Sequence, residues 1–207
     1  MDHLDHLDHR ILSALSAYGR DPRVAGAARA LSRAGEHGAL WLAAGLAGAA
    51  ADGPRRAAWL RGTALTAGAH VVSMGVKRVV RRPRPAHVEP LVRTAGRHSF
   101  PSSHATSAAA AAVAFGMLAA RGAVRGTTRG AAHGTTRGVA HGTTHGVAPG
   151  SVGRAALVAA LPPLAAAMCL SRLVVGVHYP SDVAAGAALG ALTARAGARW
   201  MAGGAHD

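Results

Sequence analysis

Aromatic residues are scarce in this chain of 207 residues, at 3% of the composition, although half of the residues are apolar. The apolar residues are mostly alanine, together with leucine, valine and glycine. Strands favour β-branched and aromatic side chains, so this composition disfavours a β-sandwich. Small side chains let helices approach closely, so we predict an all-α fold.

Cysteine is nearly absent as well. The single cysteine, Cys169, lies within an apolar run, which excludes an intrachain disulfide and a cysteine-based metal site. The first ten residues lack the apolar core of a cleavable signal peptide, so we expect none. Histidine and aspartate alternate there at a period of three. This pattern is compatible with a metal-binding tail, but we interpret it as the solvated, frayed start of a helix.

Acidic residues are few, nine against 23 basic residues, and the formal net charge is +14. A strongly basic chain can bind nucleic acid or an anionic membrane surface. The basic residues here cluster between long apolar stretches, and there is little aromatic surface on which bases could stack. We therefore predict a membrane bilayer as a partner and no nucleic acid.

The apolar residues form five stretches in the second part of the chain. They lie at about 38–51, 57–76, 104–120, 155–177 and 183–194. Some are shorter than the roughly 20 residues that span a bilayer, so a soluble helical bundle is an alternative. Stretches that are apolar on all sides are costly to expose to water, so we predict a transmembrane helical bundle of about five spans, within a range of four to six. An amphipathic extramembrane segment at 1–34 would precede a membrane domain at 35–207.

A low-complexity insert at 121–154 separates the third and fourth stretches. Within it, at 126–149, the unit Gly-Thr-Thr-Arg-Gly-Ala-Ala-His occurs with small changes and then degrades in a third copy. These copies contain no bulky apolar residue that could build a core. We predict a flexible extramembrane loop with a weak attraction to anionic lipid.

Three polar clusters lie at the ends of the apolar stretches. The first, at 77–85, holds five cations in eight residues, including Lys77, the only lysine, and Arg84. Alone it could be a positive flank that sets membrane topology. The prolines at 83 and 85 end a helix and stiffen the segment that carries these cations.

The second cluster, at 99–106, contains Pro101 and several serines, which predict a helix start with a serine cap. The free backbone N–H groups of a helix start suit a phosphate oxygen, and His104 would lie in the same first turn. An ordinary capped helix with an incidental histidine is the alternative.

The third cluster, at 171–182, contains an arginine near the end of an apolar helix, Arg172, which is costly there unless it has a role. Asp182 follows His178 by four residues, so its carboxylate could bind one ring nitrogen and leave the other free to attack. A purely structural His–Asp hydrogen bond is the alternative. Together the clusters supply cations, backbone donors, two histidines and a carboxylate, the groups that phosphoryl transfer requires.

The three clusters resemble the motifs of the type 2 phosphatidic acid phosphatase family, which is related to the vanadium haloperoxidases. That family carries K-x6-R-P, P-S-G-H and S-R-x5-H-x3-D. This chain has Lys77 with Arg84-Pro85, then Pro-Ser-Ser-His ending at His104, then Ser171-Arg172 followed by a histidine and an aspartate at the family spacing. One position departs from the pattern, because Ser103 replaces the glycine.

The resemblance implies a role for each motif residue. His178 would attack phosphorus and form a phosphohistidine, Asp182 would orient it, and His104 would protonate the leaving oxygen and then activate water. The phosphate would be bound by Lys77, Arg84, Ser102, Ser103 and Arg172. No metal and no cofactor is expected.

The resemblance also implies a lipid phosphate or diphosphate substrate, with either a polyprenyl or a glycerolipid tail. The string FPSSHAT resembles the branch that acts on decaprenyl-phosphoryl-phosphoribose. Arginine counts outside the motifs favour a site on the extracytoplasmic face of the cell membrane. A non-catalytic protein that binds anionic headgroups and a vanadate-dependent haloperoxidase are the alternatives, and the oligomeric state is left open.

Overall fold

The computed structural model describes residues 3–94, 96–132 and 149–203. Eight α-helices account for most of this part of the chain. They are α1 (His3–Ser16), α2 (Pro22–Ala34), α3 (Ala39–Ala51), α4 (Arg56–Val80), α5 (Ser103–Ala132), α6 (Pro149–Val174), α7 (Pro180–Ala196) and α8 (Ala198–Met201). The described residues contain no β-strand, only an isolated bridge between Pro83 and His98. The predicted all-α fold is confirmed.

Each of the five predicted apolar stretches corresponds to one of the helices α3 to α7. Three boundaries differ most from the prediction. Helix α4 continues to Val80, which places Lys77 on its last turn. Helix α5 runs to Ala132 and α6 begins at Pro149, so helix occupies both flanks of the insert that the sequence predicts to be a loop. The reason is that no proline interrupts α5, whereas Pro149 suits the first position of α6. Most of the repeats, at 133–148, lie outside the described residues.

Helix α5 lies at the centre of the bundle and packs against α4, α6 and α7. Most of its core-facing side chains are alanines, five of them with no exposed surface, which is why the neighbouring helices can approach closely. The closest approach is at Gly190 of α7, where a Cβ atom would lie 2.1 Å from the carbonyl oxygen of Thr106. The glycine therefore allows the start of α5 to lie close against the middle of α7.

The main hydrophobic core is built from a few large side chains among the alanines. Trp41, Trp59, Phe115, Met168 and Met201 are all 2% exposed or less. They join α3, α4, α5, α6 and α8 into one cluster, which fixes the helices whose ends carry the polar motifs.

The two N-terminal helices pack against the bundle, α2 on α6 and α1 on both α6 and α7. Helix α2 begins after Asp21, whose carboxylate accepts hydrogen bonds from the backbone N–H groups of Arg23 and Val24. In α1, Asp8 and Leu12 are buried. The interpretation of this segment as a solvated, frayed helix start is therefore wrong at Asp8, because the residue packs into the protein.

One helix in the described part of the chain is long and apolar enough to cross a membrane, judged by length and composition alone. It is the segment Ser103–Ala120 of α5, and 61% of it is buried within the protein. The predicted number of spans stays a prediction.

Candidate active site

The three predicted clusters meet at one end of the bundle. The C-terminal ends of α2, α4 and α6, the N-terminal end of α5 and the connection that precedes α7 surround a cavity of about 480 Å³. This volume lies within the range of small-molecule sites. Six of the eight predicted site residues line the cavity: Lys77, Arg84, Ser103, His104, Arg172 and His178. The other two, Ser102 and Asp182, lie behind its wall.

Lys77 and Arg84 hold the loop between α4 and α5 in place. The ammonium of Lys77 donates to the carbonyl oxygens of Ser99, at 3.0 Å, and Pro101. The guanidinium of Arg84 donates through Nε to Gly96 O, at 2.8 Å, and through Nη1 to Val177 O, at 2.7 Å. Burial lowers the pKa of Arg84, although Asp182 opposes the shift. Arginine still remains charged at neutral pH, so two cations face the cavity from rigid positions.

Arg172 and His104 are both bound by Ser32, a residue of α2 outside the predicted clusters. Arg172 Nη1 donates to Ser32 Oγ at 2.6 Å, whereas its Nε is buried without a hydrogen-bond partner among the described residues. His104 Nε2 lies 3.0 Å from the carbonyl oxygen of Ser32. Because a carbonyl only accepts, Nε2 carries the proton and Nδ1 is left as the free ring nitrogen.

His178 lies on the short connection between α6 and α7. The chain turns there at Gly176, whose φ of +73° suits glycine, and Pro180 begins the next helix. Burial lowers the pKa of His178 to about 3, although the neighbouring carboxylate of Asp182 opposes the shift. The imidazole is therefore neutral at physiological pH, which is the form that can act as a nucleophile.

Asp182 is fully buried beside this histidine. Its Oδ2 lies 3.6 Å from His178 Nδ1, longer than a normal hydrogen bond, and that nitrogen has no hydrogen-bond partner in the described structure. The same Oδ2 accepts from the backbone N–H of Tyr179 at 2.8 Å, which caps α7, and Oδ1 accepts from Arg82 Nη1 at 3.1 Å. These bonds fix the carboxylate next to the histidine ring.

The two serines of the second cluster occupy different positions. Ser102 is fully buried, and its backbone N–H donates to Asp182 O at 2.9 Å, so it joins α5 to α7. Ser103 lines the cavity, and its hydroxyl accepts a hydrogen bond from Ser73 of α4 at 2.8 Å. The side chain that replaces the family glycine is thus packed between α4 and α5.

A second layer of polar residues supports Asp182 from behind. Asp8 of α1 accepts hydrogen bonds from the backbone N–H of Ser181 and from Arg82 Nη2, both at 2.9 Å. It also accepts a hydrogen bond from the hydroxyl of Ser181. Arg82 therefore bridges Asp8 and Asp182, and its guanidinium lies 4.2 Å from the centre of the Tyr179 ring. Burial alone would lower the pKa of Arg82, but the bonds to Asp8 and Asp182 raise it.

Sequence reasoning missed Ser32, Asp8 and Arg82. One signal for Asp8 is present in the sequence, because it precedes the buried Leu12 by four residues and so shares the core-facing side of α1. Arg82 was included only in a run of cations, and nothing local distinguishes it. Ser32 carries no local signal, since its partner Arg172 is 140 residues away.

The arrangement has the equipment for phosphoryl transfer. Lys77, Arg84 and Arg172 can bind a phosphate dianion, His178 can attack it, and His104 can move a proton. In the described part of the chain no group of three or more histidine, cysteine, aspartate or glutamate side chains could hold a metal ion.

Comparisons with known proteins identify the family. The model of the PAP2 superfamily matches residues 57–204. The decaprenylphosphoryl-5-phosphoribose phosphatase of Mycolicibacterium smegmatis is 40% identical over 85% of this chain and 78% of its own length. The enzyme of the same name from Mycobacterium tuberculosis is 38% identical over 82% of this chain and 76% of its own length.

A solved structure shows the same fold. The crystal structure of a transmembrane PAP2-type phosphatidylglycerolphosphate phosphatase from Bacillus subtilis matches with a TM-score of 0.55 and 17% identity, over 99% of both chains. The resemblance seen in the three motifs is confirmed: the chain belongs to the PAP2 superfamily and is a phosphatase.

Proposed function

We propose that this phosphatase is membrane-embedded and hydrolyses the terminal phosphomonoester of a polyprenyl-linked sugar phosphate, of the type of decaprenylphosphoryl-5-phosphoribose. Two relatives named for that substrate, at 40% and 38% identity, support the choice. The observation that carries the proposal is the cavity in which a neutral histidine, His178, faces three cations. Among these, the Nε–H of Arg172 is buried and free to donate to a phosphate oxygen.

The first half of the reaction would transfer the phosphoryl group to the enzyme. With the phosphate bound by Lys77, Arg84 and Arg172, His178 Nε2 would attack phosphorus, and the bond from phosphorus to the leaving oxygen would break. His104, carrying a second proton on Nδ1 in the substrate complex, would give that proton to the leaving oxygen and become neutral. Asp182 would stabilise the positive charge on the His178 ring, and the 3.6 Å between them would shorten as that charge develops.

The second half would release phosphate. His104, now neutral, would accept a proton from a water molecule that attacks phosphorus. The phosphorus–nitrogen bond would break, inorganic phosphate would leave, and both histidines would return to their starting protonation states. No step needs an oxidant, a reductant or a second substrate other than water.

The proposal places the site at the membrane surface on the extracytoplasmic side. Large apolar residues of α4 are exposed beside the cavity end of that helix, among them Val71, Met74 and Val79, at 68%, 43% and 81%. Met74 also lines the cavity. An apolar surface next to a phosphate site suits a lipid whose tail stays in the bilayer while its headgroup enters the cavity.

The test is phosphate release by the detergent-solubilised protein in EDTA. Decaprenylphosphoryl-5-phosphoribose, phosphatidylglycerol phosphate and a polyprenyl diphosphate would be compared. We expect turnover of the first substrate, abolished in His178→Ala and unchanged in the matched control His6→Ala, which alters an exposed histidine of α1 far from the motifs in sequence.

A chemical trap tests the intermediate. With 32P-labelled substrate and a rapid quench, the wild-type protein should retain an acid-labile label that His178→Ala lacks. Full activity in His178→Ala would refute the mechanism, and lipid binding without turnover would favour a non-catalytic binding protein.

A further inference from the structure

The cavity has an outer part that the phosphoryl-transfer chemistry does not use. Three more arginines line it: Arg29 and Arg33 of α2, and Arg93 of the loop between α4 and α5. All three are exposed, whereas Arg172 and His178 are buried, at 2% each. The cavity therefore has a deep end at the histidines and a mouth formed by these three arginines, here called the arginine mouth.

One residue of the arginine mouth joins its two sides. Arg29 Nε donates to the carbonyl oxygen of Leu91 at 3.3 Å, which ties α2 to the loop that carries Arg93. Arg33 follows Arg29 by four residues and so lies on the same face of α2. The guanidinium groups of Arg33 and Arg93 have no hydrogen-bond or ion-pair partner in the described part of the chain. They are free to bind an anion.

The positive charges around the cavity outnumber the negative charges of a single phosphate group. A phosphomonoester carries about two negative charges at neutral pH, and Lys77, Arg84 and Arg172 at the deep end already outnumber them. The arginine mouth adds three positive charges, and Glu36 is the one carboxylate among the described residues that line the cavity. A concentration of guanidinium groups around one opening suits a second phosphate, because arginine can bind phosphate oxygens with two parallel hydrogen bonds.

We infer that the arginine mouth, made of Arg29, Arg33 and Arg93, binds a second phosphate of the same substrate, the phosphodiester that joins the headgroup to the lipid. This inference rests on the proposed function. The terminal phosphomonoester reaches His178 at the deep end while the diester stays at the mouth, between the headgroup and the lipid tail. The site therefore selects lipids that carry two phosphate groups separated by a small spacer over lipids with one phosphate.

The test uses two substrates that differ only at the second phosphate. One is decaprenylphosphoryl-5-phosphoribose, and the other is an analogue in which a neutral ether link replaces the phosphodiester. The double variant R29Q/R33Q should raise KM for the first substrate about tenfold, with kcat within twofold of the wild type. For the neutral analogue its KM should match that of the wild type. The control is R23Q, an exposed arginine of the same helix that is not among the lining residues, and it should change neither substrate.

Each outcome separates the inference from the proposed function. Equal effects of R29Q/R33Q on both substrates, or no effect on either, would overturn the second phosphate site while leaving the phosphatase intact. A wild-type enzyme that turns over neither substrate would refute the proposed function and this inference with it. Circular dichroism spectra of the three proteins should coincide, because all altered side chains are exposed on α2.

Discussion

Replacing Asp8 with asparagine should weaken the support of the active site without changing substrate binding. The change keeps the shape of the side chain but removes a charge that is 4% exposed and bonded to Arg82 and Ser181. Removing one partner of a fully buried ion pair destabilises a protein by about 3–5 kcal/mol. Here Arg82 is 23% exposed and keeps Asp182 as a partner, so we expect about 2 kcal/mol.

The activity should change in kcat rather than in KM. Asp8 does not line the cavity, so the substrate contacts stay the same. Without the charge of Asp8, however, the guanidinium of Arg82 would be attracted more strongly towards Asp182. We expect kcat to fall about tenfold, equivalent to about 1.4 kcal/mol of transition-state stabilisation, with KM within twofold. The assay is phosphate release at varied substrate concentration, alongside thermal unfolding in the same detergent.

Asp5→Asn is the matched control for Asp8→Asn. Asp5 lies on the same helix and pairs with the same arginine, but at 3.4 Å and with its side chain 48% exposed. Exposed ion pairs contribute little, so this variant should lose less than about 0.5 kcal/mol and keep its kcat. Wild-type kcat in Asp8→Asn, or equal losses in the two variants, would refute the role given to Asp8.

Three further predictions concern stability and packing. Because the folded pKa of His178 is about 3 and the unfolded value about 6.5, the unfolded chain takes up the proton first on acidification, so stability should fall from pH 6.5 towards 3. The loss is at most about 1.4 kcal/mol per pH unit, and urea unfolding at pH 5 and 7 should show less pH dependence in His178→Gln. Gly190→Ala should lower stability by about 1–3 kcal/mol, seen as a lower melting temperature, because its Cβ would lie 2.1 Å from Thr106 O. Ser103→Gly, which restores the family glycine, should keep kcat within threefold in the phosphate-release assay but melt earlier, because the hydrogen bond between Ser73 and Ser103 is lost, although Ser73 keeps the carbonyl oxygen of His70 as an acceptor.

The sequence was sufficient to predict the helices and the assembly of the three motifs. The apolar stretches have the length and composition of helices, and each motif lies at an end of one of them, so a helical bundle brings them to a common end. Spacing within a motif also determines local geometry: Asp182 follows His178 by four residues and reaches the side of its ring. Such relations span about one helical turn or one loop and can be read from the chain directly.

The supports of the site could not be predicted in the same way. Asp8 reaches Ser181 across 173 residues, and Ser32 reaches Arg172 across 140. Contacts of that separation depend on how α1 and α2 pack against α6 and α7. Periodicity describes one helix at a time, so it indicates that a side is buried but not which partner covers it.

These long-range contacts give the two N-terminal helices and the motif-bearing part of the chain different roles. The PAP2 match begins at residue 57, whereas α1 and α2 end before residue 35. These two helices nevertheless reach the site at three depths: Asp8 behind the carboxylate of Asp182, Ser32 between Arg172 and His104, and the arginines of α2 at the mouth. The first two contacts hold groups that the chemistry needs, so their loss should lower kcat. The third lies where the proposed lipid headgroup would enter, so its loss should raise KM for some lipids only. Substrate preference can therefore change through α2 while the motif residues stay fixed.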